Sequence, residues 1–304
     1  MRDQFAGDIS DLLKFSLLRS LAGEDKSLGV GWYFVPEHNG RPDGMHREFC
    51  HEPNWKSLDE NVWEGLRNLK QRSVEELEKL QFWRGEPKFH REPVPGIVLR
   101  QAWFSRLKDR LNGCSLVFLD PDNGLGKGGK LHATTEEIRG IRQERRAVVL
   151  ISFPGRVQHD EQAELLHHRL TSDAGARVLM TIATAVMVGG KPRVRWFTII
   201  DPDEALAARA KSFVEKLNSI LACKAHFVPR ASKRDLGPIR DQVRQMEARE
   251  NQERICPECG YQFRGRGFVG IDAHWKAKHE SLMPYSQAWP LIQAGKYRRD
   301  GFVS

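Results

Sequence analysis

No apolar run in this chain approaches the roughly 18–20 residues that a membrane-spanning helix needs, so a transmembrane protein is not expected. Near the start, Asp3, Asp8 and Asp11 interrupt any apolar segment, which argues against a secretory signal peptide. Cysteine is scarce, with five in 304 residues, and Cys50, Cys114 and Cys223 are scattered without a disulfide pattern. That usage suits a reducing cytoplasm. Internal repeats and low-complexity tracts are lacking too, and the length fits one large domain with an appendage. A hydrophobic content of 40% with eight tryptophans excludes wholesale disorder. What remains is basic: the net charge of +8 favours a polyanionic partner, nucleic acid first, beside the plain reading of a basic globular protein.

The two other cysteines are spaced as metal ligands. Cys256 and Cys259 are separated by two residues, fourteen more lead to His274, and four lie between His274 and His279. Two thiolates of one tight turn reach one ion, and two imidazoles about a helical turn apart converge on it, so the four predict a Cys2His2 zinc site. Tyr261 and Phe263 supply a small core, Gly265, Gly267 and Gly270 supply turns, and Asp272 is a candidate cap for the histidine-bearing helix. The segment resembles a Cys2His2 finger, whose task would be nucleic-acid contact, protein contact or stabilisation.

Upstream, the pattern alternates. Residues 7–21 read as a helix with Leu12, Leu13, Leu17, Leu18 and Leu21 on one apolar face, and 28–35 as a strand that ends in a polar loop. Residues 55–80 read as one helix, 84–96 as a loop and 98–111 as a helix. Strands at 115–119, 147–152, 178–188, 194–200 and 225–228 alternate with helices at 134–144, 160–170 and 203–221. Gly189-Gly190-Lys191-Pro192 turns one strand back on the next, predicting an antiparallel hairpin late in the sheet. Continuous apolar strands between helices imply an α/β domain with a mostly parallel, doubly covered sheet over 1–230. Residues 231–255, rich in charge, read as an exposed helical linker to a zinc module and final helix at 256–304.

The run Leu116-Val117-Phe118-Leu119-Asp120-Pro121-Asp122-Asn123-Gly124-Leu125 carries the candidate chemistry. An apolar strand ends in an acidic cluster, and ligands of open α/β sheets gather beyond the carboxyl ends of strands. Lys127 and Lys130 make the following glycine-rich loop positive, so Asp120 is expected to face an open, cation-flanked crevice. Ile151-Ser152-Phe153-Pro154-Gly155-Arg156 ends the next strand, with Arg156 and His159 as candidate phosphate or substrate contacts. Asp201-Pro202-Asp203 repeats part of the acidic pattern but opens a helix, where aspartates are caps.

The strand-Asp120-Pro121 arrangement resembles the Asp-Pro-Pro-Tyr motif of adenine-N6 methyltransferases. Ala6-Gly7-Asp8-Ile9-Ser10-Asp11-Leu12-Leu13-Lys14 is similar to the opening segment of the bacterial ribosomal-RNA adenine-N6 methyltransferase family. The Gly-Asp, Trp-Tyr and Asp-Pro-Asp-Asn-Gly-Leu elements also resemble a broader bacterial group of unassigned function. The resemblance implies a Rossmann-like methyltransferase-type sheet with an antiparallel hairpin and S-adenosylmethionine as cofactor. It implies catalytic roles for Asp120, Asp122, Asn123 and Lys14, with Asp120 holding the target amine, and a cofactor site at Gly7, Asp8, Pro36 and Glu37. Asp122 and Asn123 replace the second proline and the aromatic, which moves the search for a stacking ring to Phe118 or Phe153. The first strand runs into Val35-Pro36-Glu37-His38 instead of a glycine-rich turn, and Gly29 and Gly31 lie inside it.

The same residues fit a metal-dependent nuclease, such as one serving defence against foreign DNA. Asp120 and Asp122, joined by Asp8, Asp43 or His46, would hold Mg²⁺, with Lys14 or Lys127 against the phosphoryl group and His38 in a neighbouring loop. A third reading is a zinc-finger nucleic-acid-binding protein whose enzyme site has decayed. DNA and RNA are both open as partners.

Overall fold

The computed structural model describes residues 1–36, 46–126, 129–155, 159–188, 191–229, 256–261, 263, 270–293 and 297. The chain divides into two compact units, Met1–Ser232 and Lys233–Ser304. The linker expected at 231–255 lies outside the described residues, as do Gly265 and Gly267.

In the first unit, Asp8 caps α1 (Ile9–Ala22) by accepting from the Ser10 and Asp11 amides, as its non-helical backbone at the N-cap allows. The leucines give α1 its expected apolar face, yet the polar side is buried as well: Ser10, Asp11, Lys14 and Arg19 are all interior. Helices α2 (Glu60–Arg67) and α7 (Glu204–Asn218) pack against it, so α1 is an inner helix and not a surface one. The single helix expected at 55–80 is broken into a 3-10 turn at Pro53–Ser57, α2, and α3 (Val74–Glu78). Asp59 and Ser73 account for the breaks. Each side chain accepts from an amide of the following turn, starting a new helix where the apolar pattern alone would continue the old one.

The sheet contains β1 (Leu28–Trp32), β2 (Lys88–His90), β3 (Leu116–Asp120), β4 (Ala147–Ser152), β5 (Leu179–Val188), β6 (Lys191–Ile200) and β7 (Cys223–Phe227), in the order β2-β1-β3-β4-β6-β5-β7. β2, β1, β3 and β4 run parallel. β6 is antiparallel to β4, and β5 and β7 follow with alternating sense. The β5–β6 hairpin pairs as the turn predicts, but β7 lies outside it, so the hairpin is not the edge. β2 falls in the stretch expected to be a loop. It is three residues long with an exposed Lys88, too short for a periodicity signal, and it joins through parallel backbone pairing to β1.

Strand residues alternate between two cores. Val30, Phe118 and Val149 face the one that holds α1, α2, α3 and α7. Val117, Leu119 and Leu150 face the other, covered by α4 (Arg100–Arg110), α5 (Thr135–Ile141) and α6 (His159–His168). Gly29 and Gly31 make the second face passable. A Cβ on Gly31 would sit 3.0 Å from Leu119 and 3.2 Å from Leu107, and one on Gly29 3.0 Å from the Cys114 sulfur. These glycines admit α4, not a cofactor.

The second unit has a small core of Cys256, Phe263, Ile271, Trp275, Ala288, Ile292 and Tyr297, built around α8 (Ile271–Lys278) and α9 (Tyr285–Gln293). Gly270 occupies the N-cap of α8 in a left-handed conformation, φ 90°, which glycine tolerates. Asp272 therefore lies inside the first turn and is not the cap. No helix among the described residues is long and apolar enough to cross a membrane.

Candidate functional site

Lys14 and Asp120, 106 residues apart, meet at the carboxyl end of β3, where Lys14 Nζ stands 3.0 Å from Asp120 Oδ2. The same ammonium lies 2.6 Å from Asp11 Oδ1, one turn back on α1. Asp11 in turn accepts from the Gly7 amide at 2.7 Å, a contact made possible by the left-handed turn at Gly7, φ 78°. All three charged side chains are buried, Asp120 with 3% of its surface exposed. Two carboxylates share one cation, and burial decides the outcome. Loss of solvent pushes Asp11 up to about 6 against the pull of Lys14, while Asp8 and Asp120 add to the rise. Burial alone would lower Lys14, but Asp11 and Asp120 together raise it above its ordinary value, so it stays charged. Two carboxylates thus face one ammonium in a buried cluster, and the rise at Asp11 is the direct result of that burial.

Asp122 does not join this cluster. Its carboxylate is 2.7 Å from the Met1 amino group and 3.2 Å from Arg2 Nε, while the Met1 amine also donates to the carbonyls of Tyr33 and Asp120. Asp120 and Asp122 are thus each held by separate cations. Among the described residues, the Cys/His set treated below is the sole group of three or more side chains arranged to hold a metal ion. Of the further ligands considered for Mg²⁺, Asp8 caps α1 and His46 offers its carbonyl to the Ile9 amide. Asp43, His38 and Lys127 lie outside the described residues.

Open space lies one turn beyond Asp120 and not over it. A cleft of about 170 Å³ is walled by Asn123, Ser152, Phe153, Gln162, Arg169 and Trp196 at the carboxyl ends of β3 and β4. The loop carrying Asn123 is held by backbone bonds from Asn123 to Leu131 at 2.9 Å and from Ala133 to Gly124 at 3.0 Å. Gly124, φ 78°, lets it press against β4, since a Cβ there would be 2.6 Å from Ser152 Oγ. That hydroxyl is buried on the cleft wall without a hydrogen-bond partner among the described residues. Of the two aromatic rings considered for stacking, Phe118 points into the core and is fully buried. Phe153 is 40% exposed and lines the cleft. Trp196 comes from β6, opposite Ser152 in the antiparallel register. Trp196, Gln162 and Arg169 are separated from the acidic loop in sequence, and no local motif signals them; the pairing of β4 with β6 brings Trp196 there.

Two of the four residues expected to hold S-adenosylmethionine serve the fold. Asp8 caps α1, a Cβ on Gly7 would meet Leu69 at 2.8 Å, Pro36 is exposed, and Glu37 lies outside the described residues. Arg156 is likewise outside them, while His159 is exposed, its ring nitrogen 2.9 Å from the Gly155 carbonyl and its edge against Trp196. Asp203 caps α7 through the Leu206 amide, and Asp201 binds Arg142, so the second acidic pair is structural.

In the second unit, the donor atoms of Cys256, Cys259, His274 and His279 lie within 4.8 Å of one another. Cys259 Sγ and His279 Nε2 are each 3.2 Å from His274 Nε2. A tetrahedral ion with bonds of about 2.0–2.3 Å sets neighbouring donors roughly 3.3–3.8 Å apart, so the set can hold a metal ion. The i, i+5 spacing would carry His279 round a continuous helix, away from His274. α8 instead ends at Lys278, and His279 leaves it with φ −134°, which returns its ring to the site. Tyr261 stacks on His274 with centroids 4.8 Å apart, and Trp275 meets His279 edge-on, fixing both imidazoles.

No family model and no curated protein matches the chain. Among solved structures, the crystal structure of protein LPL1258 from Legionella pneumophila str. Philadelphia 1, of the DUF519 family, is similar at 14% identity with a TM-score of 0.44. The match covers 75% of this chain and 99% of that one. A likeness that distant carries no argument about activity.

Proposed function

We propose that the larger unit is a nucleic-acid-modifying enzyme of the methyltransferase-like kind, which takes an unstacked nucleobase into the cleft over β3 and β4. The observation that carries this reading is the make-up of the cleft. An exposed ring at Phe153, a second aromatic at Trp196, an amide at Asn123 and an unsatisfied hydroxyl at Ser152 surround a space beside the buried Asp120–Lys14 pair. A flat heterocycle with a polar edge needs a stacking face and fixed hydrogen-bonding groups, and these residues supply both. Arg169 at the rim and the chain's net charge of +8 suit a phosphate backbone. The Asp-Pro motif and the Gly7-to-Lys14 segment support methyl transfer over other modifications, and the pairing of Lys14 with Asp120 joins the two motifs at one place. Lys14 is ion-paired to Asp120 at 3.0 Å, and Asp120 would orient an exocyclic amine of the bound base. In the second unit, two thiolates and two imidazoles at tetrahedral spacing favour Zn²⁺.

The test is direct binding of single-stranded RNA and DNA, followed by transfer of a labelled methyl group from S-adenosylmethionine. Phe153→Ala is expected to weaken oligonucleotide binding by about 1–3 kcal/mol, the worth of one stacked base. Asp120→Asn is expected to abolish transfer while leaving binding intact. Absence of binding to either nucleic acid would end this reading. The burial of Asp120 favours, second, a protein that binds nucleic acid without modifying it, and calorimetric titration with S-adenosylmethionine separates the two: no heat of binding leaves the second.

A further inference from the structure

β7 stands last in the sheet, paired antiparallel with β5 on one side, so its outer side is an edge. Backbone groups along such an edge are a template for another strand. The register fixes which residues face outward. The Val228 amide, just past β7, donates to the Thr181 carbonyl of β5 at 2.8 Å. Even-numbered positions therefore bond inward, and Cys223, Ala225 and Phe227 turn their amides and carbonyls out. Asn218, the last residue of α7, lies over the middle of this edge. Its Nδ2 donates to the Ala225 carbonyl and its Oδ1 accepts from the Ala225 amide, both at 2.8 Å. One side-chain amide thus supplies the donor and acceptor that a neighbouring strand would supply. The Cys223 amide is taken as well, by the Ile220 carbonyl at 2.9 Å. At the opposite edge β2 is three residues long, and Arg110 Nε donates to its Phe89 carbonyl at 3.0 Å. Both edges are blunted, β2 by its shortness and the five-residue β7 by Asn218.

We infer that Asn218 guards the edge of β7 against pairing with a second copy of this chain. In an antiparallel ladder, two opposed residues exchange a pair of bonds, amide to carbonyl each way. Two β7 strands meeting at Ala225 would form that pair about a two-fold axis, and its groups are those Asn218 occupies. The same register sets Lys224 opposite His226 and Cys223 opposite Phe227, so no lysine faces a lysine. Leu221, 98% exposed two residues before the strand, adds apolar surface beside the edge. With Asn218 in place, pairing must first break two hydrogen bonds on each copy.

Light scattering behind size exclusion, run on the full-length chain across a range of concentrations, tests this. Asn218→Ala is expected to keep the wild-type circular dichroism and to gain a mass that climbs with concentration toward about twice that of the wild type. Adding Ala225→Pro is expected to return the wild-type mass, since proline removes the outward amide without touching the bonds to β5. An unchanged mass in Asn218→Ala, with or without a lowered melting temperature, makes the side chain a strut between α7 and β7 and overturns the guard. A variant that loses its fold does the same. Association that survives Ala225→Pro lies on another surface and overturns it too. So does a wild-type chain whose own association Ala225→Pro abolishes, because the edge is then open with Asn218 present.

Discussion

Asp11 was not singled out for chemistry by its sequence context, yet it sets the electrostatics of the site. With its value raised from 3.8 to about 6, the folded chain binds a proton there that the unfolded chain has released. The sign follows: its contribution to stability is fully present below the unfolded value, and is lost as the pH rises through about 6. Asp11→Asn keeps a side-chain acceptor for the Gly7 amide and removes the titration. Thermal melts between pH 4 and 7.5 are expected to show a loss of stability between the unfolded value of 3.8 and about 6, levelling off above it, in the wild type that is missing from this variant; identical profiles would refute the assignment. Lys14 acts in the opposite sense. Lys14→Met strands two buried carboxylates and is expected to cost about 3–5 kcal/mol in urea unfolding, more than Asp120→Asn, which removes one negative charge and leaves a paired lysine.

Elements decide what single residues can do. The turn at Gly124 lets the acidic loop lie on β4, and a side chain there meets both the Ser152 hydroxyl and its Cα, the latter at 2.9 Å. Gly124→Ala is expected to destabilise by roughly 1–3 kcal/mol, through strained backbone and overpacking together, and to narrow the cleft. Denaturant midpoints check the first effect, and oligonucleotide affinity the second. Element by element, the long buried strands were legible because runs such as Val148 to Ile151 have no polar interruption. The interruptions of 55–80 were not, because Asp59 and Ser73 look like ordinary surface residues until their carboxylate and hydroxyl are seen on backbone amides. β2 escaped for the opposite reason, its stability coming from the edge of β1 and not from its own side chains.

At the scale of the whole molecule, the two units differ in what holds them. The first has a two-sided core around seven strands. Among the described residues the second has seven buried apolar side chains, one of them Cys256 of the set that can hold a metal ion, and in a unit that small a bound ion would carry much of the stability. Chelation with phenanthroline is expected to remove the helical signal of α8 and the tertiary signal of Trp275, while the main melting transition of the intact chain stays in place. A single transition unaffected by chelation would show that the metal is dispensable.

The sequence by itself determined the pieces whose information is local. These are the ligand spacing of Cys256, Cys259, His274 and His279, the apolar strands, the hairpin pairing and the acidic loop after β3. Only the tertiary structure decided what long-range contacts create. It brought Lys14 and Asp11 onto Asp120, gave Asp122 a separate partner, turned Phe118 inward and Phe153 outward, and set Trp196 across from Ser152. Spacing along a chain fixes which residues share a turn, but burial and pairing depend on which strands and helices become neighbours, and those contacts span up to a hundred residues or more.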